Sequence, residues 1–244
     1  MQSGSFRLFQ IAGITVYLHF SWFIVGVFEV STMRGRYESP VFAVFEYLAL
    51  FALVLMHEFG HALACRQVGG QADRIVLWPL GGIAFVNPPP RAGAMLWSLA
   101  AGPLVNLVIA PILEVALLIA RSSGLMYETP DAFRLLTYIR WINTALLVFN
   151  LLPVYPLDGG QILRALLWFP LGPTRSLQIA TFIGLLGGGA LALYAFKITS
   201  LWIGFMAFFL LSQSWAGWQH AGVLAAEERE AMRLRGETGE RPIL

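Results

Sequence analysis

Two histidines and a glutamate stand at a spacing that suits metal-dependent hydrolysis. His57, Glu58 and His61 lie in the sequence His-Glu-Phe-Gly-His. Residues four apart on an α-helix lie one above the other, so both imidazoles can reach one metal ion, and the glutamate projects to the edge of the same face. Zinc with three protein ligands keeps a fourth position for water and lowers the pKa of that water towards about 7. The pattern therefore predicts a zinc site at which Glu58 removes a proton from the attacking water.

The alternative is a pair of interfacial histidines beside a glutamate, without a metal. Three titratable side chains on an apolar helix are costly unless they have a function. This cost favours the metal site.

A zinc site of this kind needs a third protein ligand, and two carboxylates are candidates. Asp158 lies in a Leu-Asp-Gly-Gly turn, whose flexible backbone can aim a side chain at a metal. Asp158 could instead cap the helix that follows it. Glu114 lies within an apolar segment, where an unpaired carboxylate is a functional candidate. The favoured alternative for Glu114 is protonation, or a hydrogen bond to a neighbouring span.

The composition of the chain is that of a membrane protein. Of the 244 residues, 57% are hydrophobic and 12% are charged, whereas a soluble domain carries roughly a quarter charged residues. The net charge of +2 is too small to suggest nucleic acid as a partner. Residues 1–13 lack the features of a cleaved signal peptide, so we expect the first apolar segment to remain as a span.

Six apolar segments are long enough to cross a bilayer as helices. They cover approximately residues 14–30, 41–67, 92–120, 131–152, 176–196 and 198–223. Two β-prone runs within 74–86 flank Pro79-Leu-Gly-Gly82 and predict a hairpin. The sequence thus predicts an α-helical polytopic membrane protein, a six-transmembrane-helix bundle with a short membrane-associated β-hairpin between helices 2 and 3. In this interpretation residues 1–224 form the transmembrane domain and residues 225–244 a charged cytoplasmic tail.

The basic residues predict the orientation of the chain in the membrane. With six spans, the N-terminus, the second loop, the fourth loop and the tail share one side, which carries most of the arginines outside the spans. By the positive-inside rule both termini are cytoplasmic, and the cell membrane is the expected location. His57 lies past the middle of the second span, so we expect the metal nearer the cytoplasmic surface, with a water path through the Asp158 turn.

Two segments together resemble the site-2 protease family of intramembrane metalloproteases. One is His57-Glu-Phe-Gly-His61, and the other, about a hundred residues later, is Asn150-Leu-Leu-Pro-Val-Tyr-Pro-Leu-Asp158-Gly. The resemblance covers roughly residues 41–164. It implies that His57, His61 and Asp158 bind one zinc ion and that Glu58 is the general base.

The same resemblance implies that Asn150 contacts the substrate backbone or helps to stabilise the oxyanion. An amide near the metal is a reasonable donor to a developing oxyanion. A purely helix-bonding Asn150 is the alternative. Asn106, Gly102 and the run 187–189 are expected to serve close helix packing, with a substrate gate as the alternative for the glycine run.

The chain departs from many members of the family at Gln161, where they carry arginine. This difference puts the local anchoring of the turn in doubt, not catalysis. PDZ and CBS domains are not found in the sequence, which resembles a minimal core of the family. Substrate choice is then expected to depend on the membrane domain, its loops or a separate regulatory protein.

These features predict a zinc endopeptidase that cuts peptide bonds in or near the transmembrane segments of membrane-bound substrates. A catalytically silent homologue that binds membrane segments is one alternative, but a binding protein needs no base such as Glu58. A zinc-handling membrane protein is another, but a transporter should place its ligands along a path across the bilayer. The expected partners are a transmembrane protein substrate and the lipid bilayer.

Overall fold

The computed structural model describes residues 4–32, 35–78 and 81–238, which are mostly helical. The chain divides into two compact units, Met1–Leu151 and Leu152–Leu244. The elements in chain order are β1 (Ser5–Ile11), β2 (Ile14–His19), α1 (Ser21–Thr32), α2 (Pro40–Gln67), β3 (Gln71–Trp78), β4 (Gly81–Asn87), α3 (Ala92–Ser122), α4 (Leu125–Glu128), α5 (Pro130–Leu151), α6 (Asp158–Lys197) and α7 (Leu201–Thr238).

Among the described residues, three helices are long and apolar enough to cross a membrane. They are α2 with 28 residues, α3 with 31 and α6 with 40. At 1.5 Å per residue, 28 residues extend about 42 Å, more than the hydrocarbon thickness of about 30 Å. Large apolar side chains such as Leu48 on α2 and Val108 on α3 are exposed on the protein surface, as expected for helices that face lipid.

Helices α2 and α3 of the first unit approach each other closely at Gly60. A Cβ atom on Gly60 would lie 2.6 Å from the carbonyl oxygen of Ala101 and 2.9 Å from Cγ2 of Val105. Only a glycine fits at this distance, because small residues let helix backbones come close in a membrane. The close approach brings polar groups of α3 within reach of the histidines on α2.

A four-stranded sheet with the order β1-β2-β3-β4 also belongs to the first unit. The β1–β2 and β3–β4 pairs are antiparallel, and β2 runs parallel to β3. The sheet packs its apolar face on α2, and this core contains Ile14, Val16, Ile75, Leu77, Ala62 and Cys65.

In the second unit, α6 changes direction at Gly172. This glycine has φ 78° and ψ 173°, a backbone conformation that joins two helical stretches at a kink. After the kink α6 packs along α7, which continues to Thr238. Residues 225–238 of the predicted tail are therefore helical, whereas residues 239–244 lie outside the described residues. Thr174, just after the kink, donates a hydrogen bond of 2.5 Å to Glu228 on α7.

The predicted helix across residues 14–30 is wrong. Its first part, Ile14–His19, is strand β2, and the helix α1 begins only at Ser21. From Ile14 to Leu18 the residues alternate between buried and half-buried positions, as is typical of a strand. An apolar run does not reveal a change from strand to helix, because hydrophobicity alone does not distinguish the two.

The remaining boundaries agree with the prediction to different degrees. Helices α2, α3 and α5 begin and end within two residues of the segments predicted at 41–67, 92–120 and 131–152. The fifth predicted segment began at residue 176, but α6 begins at Asp158, ahead of the kink. Strands β3 and β4 occupy the region of the predicted hairpin, although Pro79 and Leu80 of its turn lie outside the described residues. The count of six spans and the position of the hairpin in the membrane stay predictions.

Candidate metal centre

His57 and His61 present their Nε2 atoms to each other on one face of α2. The two atoms are 3.1 Å apart, and the imidazole planes are nearly perpendicular, at 82°. Both side chains are buried, with 5% and 6% of their surface exposed. The helical spacing of four residues therefore brings two nitrogen donors together away from water.

The other ring nitrogen of each histidine is held by α3. Nδ1 of His61 donates a hydrogen bond of 2.8 Å to the carbonyl oxygen of Ser98, and a carbonyl oxygen can only accept. Nδ1 of His57 donates to Oδ1 of Asn106 at 2.7 Å. The amide nitrogen of Asn106 is engaged elsewhere, because it donates to Oδ1 of Asn143 at 2.9 Å.

These two hydrogen bonds assign the tautomer of both imidazoles. With the protons on Nδ1, the two Nε2 atoms carry lone pairs that face each other. Two lone pairs at this separation repel unless a cation shares them. The arrangement is the one found around metal-binding histidines, whose second nitrogen donates to a carbonyl or amide oxygen. The donor set of His57 and His61 therefore fits a zinc ion.

Gly102 on α3 leaves space beside the two Nε2 atoms. A Cβ atom at this position would lie 2.2 Å from Nε2 of His61 and 2.8 Å from Nε2 of His57. No side chain other than that of glycine fits there without displacing the imidazoles. The space that a metal ion needs is thus kept open by the absence of one carbon atom.

Glu58 follows His57 on α2 and is also buried, with 6% of its surface exposed. The Glu58 carboxylate therefore lies in the same apolar part of α2 as the two imidazoles. Burial of an ionisable group at this level is costly, which is why such groups mark functional sites in membrane helices.

Asp158 is the first residue of α6 and belongs to the second unit. Leu157 occupies the N-cap position, so Asp158, for which helix capping was the alternative, lies one residue inside the helix. A half-buried carboxylate in the first helical turn is favoured by the helix dipole. Asn150, the second predicted residue of this region, is half-buried near the end of α5 in the first unit.

Glu114, the rival ligand, has a different partner. Its Oε1 lies 2.8 Å from Nη1 of Arg140, which reaches across from α5. The two side chains are 55% and 36% exposed, unlike the buried histidines. The interpretation of Glu114 as bonded to a neighbouring helix is therefore confirmed.

Sequence reasoning missed the role of Asn106, for which only helix packing was predicted. Asn106 does join α3 to α5, since Nδ2 of Asn143 also donates to the carbonyl oxygen of Asn106 at 2.9 Å. In addition it holds His57. The available signal was an amide in an otherwise apolar helical segment, four residues after Gly102.

Known proteins resemble large parts of this chain. The sequence model of peptidase family M50 matches residues 45–134 and 122–193. A zinc metalloprotease of Methanocaldococcus jannaschii is 34% identical over 182 residues, which are 74% of this chain and 50% of that protein. The stage IV sporulation protein FB of Bacillus subtilis is 33% identical over 120 residues, which are 48% of this chain and 38% of that protein.

A solved structure has a similar fold. It is the site-2 protease from Methanocaldococcus jannaschii, with a TM-score of 0.64 and 28% sequence identity, and the similarity covers 88% of this chain and 95% of that chain. The chain spans about half the length of the curated M. jannaschii relative.

Proposed function

The chain belongs to peptidase family M50, and from this membership we propose that it is an intramembrane zinc endopeptidase. It hydrolyses peptide bonds in or near transmembrane segments of membrane-bound substrates. The observation that carries the proposal is the pair of buried Nε2 atoms of His57 and His61, 3.1 Å apart and directed at each other.

One zinc ion is held by His57, His61 and Asp158 in this proposal. Two imidazole nitrogens and one carboxylate are a common ligand set of catalytic zinc, which keeps a further position open. The hydrogen bonds from Nδ1 of each histidine support the first two assignments. The third assignment is supported by the residue type of Asp158 and by its place in a glycine-containing helix start.

Glu58 is the proposed general base. Bound zinc supplies Lewis-acid activation of water and of the peptide carbonyl. Glu58 accepts the proton of the attacking water and returns it to the amine that leaves, as positioned carboxylates do in general acid–base catalysis. Its buried position on the helix that carries both histidines supports this role.

Asn150 is proposed to donate a hydrogen bond to the substrate backbone or to the oxyanion. An amide donor directed at developing negative charge contributes most in a site that excludes water. Asn150 lies eight positions before Asp158, in the last turn of α5.

The edge of β4 that pairs with no other described strand is the proposed docking site for the substrate. A transmembrane helix must unwind before its carbonyls can be attacked, and helix-breaking residues near the cut site lower that cost. The unwound segment can add to a sheet as an extra strand. Within the described residues β4 is at the end of the strand order and pairs on one side only, with β3.

The chain is an integral membrane protein, and we place it in the cytoplasmic membrane as a multi-pass protein with both termini in the cytoplasm. The distribution of arginines supports this orientation. A separate regulatory protein is a further proposed partner, and nucleic acid is not.

A single variant tests the proposed function. Purified protein in detergent should contain about one zinc ion and should cleave a membrane-spanning peptide. Glu58→Gln should retain the zinc and lose the cleavage, because glutamine has nearly the shape of glutamate but cannot accept the proton. Cleavage by Glu58→Gln at the rate of the unmodified protein would contradict the assignment of the base.

A further inference from the structure

The loop of residues 152–157, which precedes Asp158, is fixed to the start of α6. The backbone N–H of Leu157 donates to the carbonyl oxygen of Val154 at 2.9 Å. Nε2 of Gln161 donates to the carbonyl oxygen of Pro156, also at 2.9 Å. Gln161 thus anchors the turn from within α6.

Helix α7 holds the same loop from the other side. Oγ of Ser214 donates a hydrogen bond of 2.8 Å to the carbonyl oxygen of Tyr155. Ser214 is fully buried, and the accepting carbonyl is three residues before Asp158. This bond differs from the usual serine bond in a helix, which goes to a carbonyl of the same helix.

Glycines on α6 and α7 leave space for the loop to pack against both helices. A Cβ atom on Gly184 would lie 2.7 Å from the carbonyl oxygen of Tyr155, and one on Gly217 would lie 3.0 Å from the ring of the same residue. A Cβ atom on Gly187 would lie 2.9 Å from a methyl group of Val154. A side chain at Gly184 or Gly187 would therefore require the loop or the helix to shift, and one at Gly217 would press on the ring of Tyr155.

At the start of α6, Gly160 packs closely against the loop. Its Cβ atom would lie 2.3 Å from the backbone nitrogen of Tyr155 and 2.4 Å from the carbonyl carbon of Val154. Val154 and Tyr155 are thus packed against the helical turn that begins with Asp158. Because this contact is close, we expect a shift of Val154 or Tyr155 to shift the first turn of α6, which carries Asp158.

We propose that Ser214, Gly184, Gly187 and Gly217 form a loop cradle that positions Asp158 for metal binding. The proposal rests on the proposed function, because it takes Asp158 as a zinc ligand. Each member acts through Val154 or Tyr155, and none is proposed as a metal ligand. The glycine run at 187–189, for which helix packing was expected and a substrate gate was the alternative, contributes Gly187 to this cradle.

The chain offers a matched control for the serine. Ser212 lies on the same helix, and its hydroxyl donates only within that helix, to the carbonyl oxygen of Phe209 at 2.8 Å. Ser214→Ala and Ser212→Ala therefore remove the same chemical group from one helix, but only the first removes a contact to the loop.

The test is the affinity of the metal-depleted protein for zinc, measured in detergent by competition with a chromophoric chelator. Loss of a residue that orients a metal ligand typically weakens metal binding by about 10- to 100-fold. We expect Ser214→Ala to weaken zinc binding by at least about tenfold, and Ser212→Ala to leave it unchanged. Equal zinc affinity of the two variants would overturn the proposal.

A glycine pair keeps the test decisive if Ser214→Ala does not fold. Gly187→Ala places a methyl group against Val154, whereas a Cβ atom on Gly189 has nothing within 4 Å. Gly187→Ala should weaken zinc binding and Gly189→Ala should not. Equal affinities of these two variants would also overturn the proposal.

Asp158→Ala separates this inference from the proposed function. If Asp158→Ala binds zinc as tightly as the unmodified protein, the ligand set of the proposed function is wrong, because Asp158 is then not a zinc ligand. If Asp158→Ala loses affinity while Ser214→Ala and Gly187→Ala keep it, only the loop cradle is wrong. Excess zinc should restore cleavage to Ser214→Ala, because the defect lies in metal affinity, but not to Asp158→Ala.

Discussion

Oδ1 of Asn106 accepts a hydrogen bond of 2.7 Å from Nδ1 of His57, which ties a histidine of α2 to an amide of α3. The bond assigns the proton to Nδ1 and leaves the lone pair of Nε2 available for a metal ion. Asn106 is itself held by Asn143 of α5. Three helices thus cooperate to orient one imidazole.

Replacement of Asn106 should weaken metal binding. Asn106→Ala removes the acceptor for His57, so the ring loses its fixed tautomer and orientation, and zinc affinity should fall by roughly 10- to 100-fold. Chelator competition on the purified protein measures this change. Leu107→Ala, at an exposed position of the same helix, is the control. An Asn106→Ala protein with unchanged affinity would show that the hydrogen bond has no such role.

A methyl group at position 102 should block the site. The new Cβ atom of Gly102→Ala would lie 2.2 Å from Nε2 of His61, in the space that the ion needs, so we expect loss of both zinc and cleavage. Gly204→Ala is the control, since nothing lies within 4 Å of a Cβ atom there. Metal content measured by atomic emission decides the point, and a stoichiometric amount of zinc in Gly102→Ala would rule out this geometry.

Replacement of Glu114 should leave the metal in place. Its carboxylate is paired with Arg140 at a half-exposed position, so Glu114→Gln removes an ion pair and no ligand. We expect zinc content and cleavage rate to stay within about twofold of the unmodified protein, because exposed ion pairs contribute little. Loss of zinc from Glu114→Gln would instead make Glu114 part of the metal site.

Proline substitutions along β4 test the docking site for the substrate. Successive residues of a strand direct their N–H groups alternately towards the neighbouring strand and away from it. A proline at a position whose N–H faces away from β3 removes a hydrogen bond only from the added substrate strand. Phe85→Pro and Val86→Pro cover the two alternatives. One of them should lower cleavage and retain zinc, and full cleavage by both would exclude strand addition at this edge.

The sequence predicted the parts of the molecule that depend on local pattern. Long apolar runs fixed the ends of α2, α3 and α5 to within two residues, because such runs have one stable form in lipid. The parallel pairing of β2 with β3 joins segments about sixty residues apart, as in the pair Val16 and Ile75. No local pattern reports such a pairing, and residues 14–30 were assigned to one helix for this reason.

In the candidate site, too, the features that depend on local pattern were predicted and those that depend on helix packing were not. The spacing of His57 and His61 predicted their meeting, since it needs only a helix. The acceptor for His61 is the backbone carbonyl oxygen of Ser98. Every residue type carries such an oxygen, so the sequence cannot indicate this contact. Asn106 and Ser214 are visible as polar residues in apolar helices, but their partners depend on how the helices pack.

The central claim is that His57, His61 and Asp158 hold one zinc ion together. X-ray absorption at the zinc edge of the Glu58→Gln protein measures the ligands directly. We predict one zinc per chain with two imidazole nitrogens and oxygen donors at about 2.0–2.2 Å, one of which is lost or replaced in Asp158→Ala. A zinc environment that is the same with and without the Asp158 carboxylate, or one without imidazole, would contradict the account.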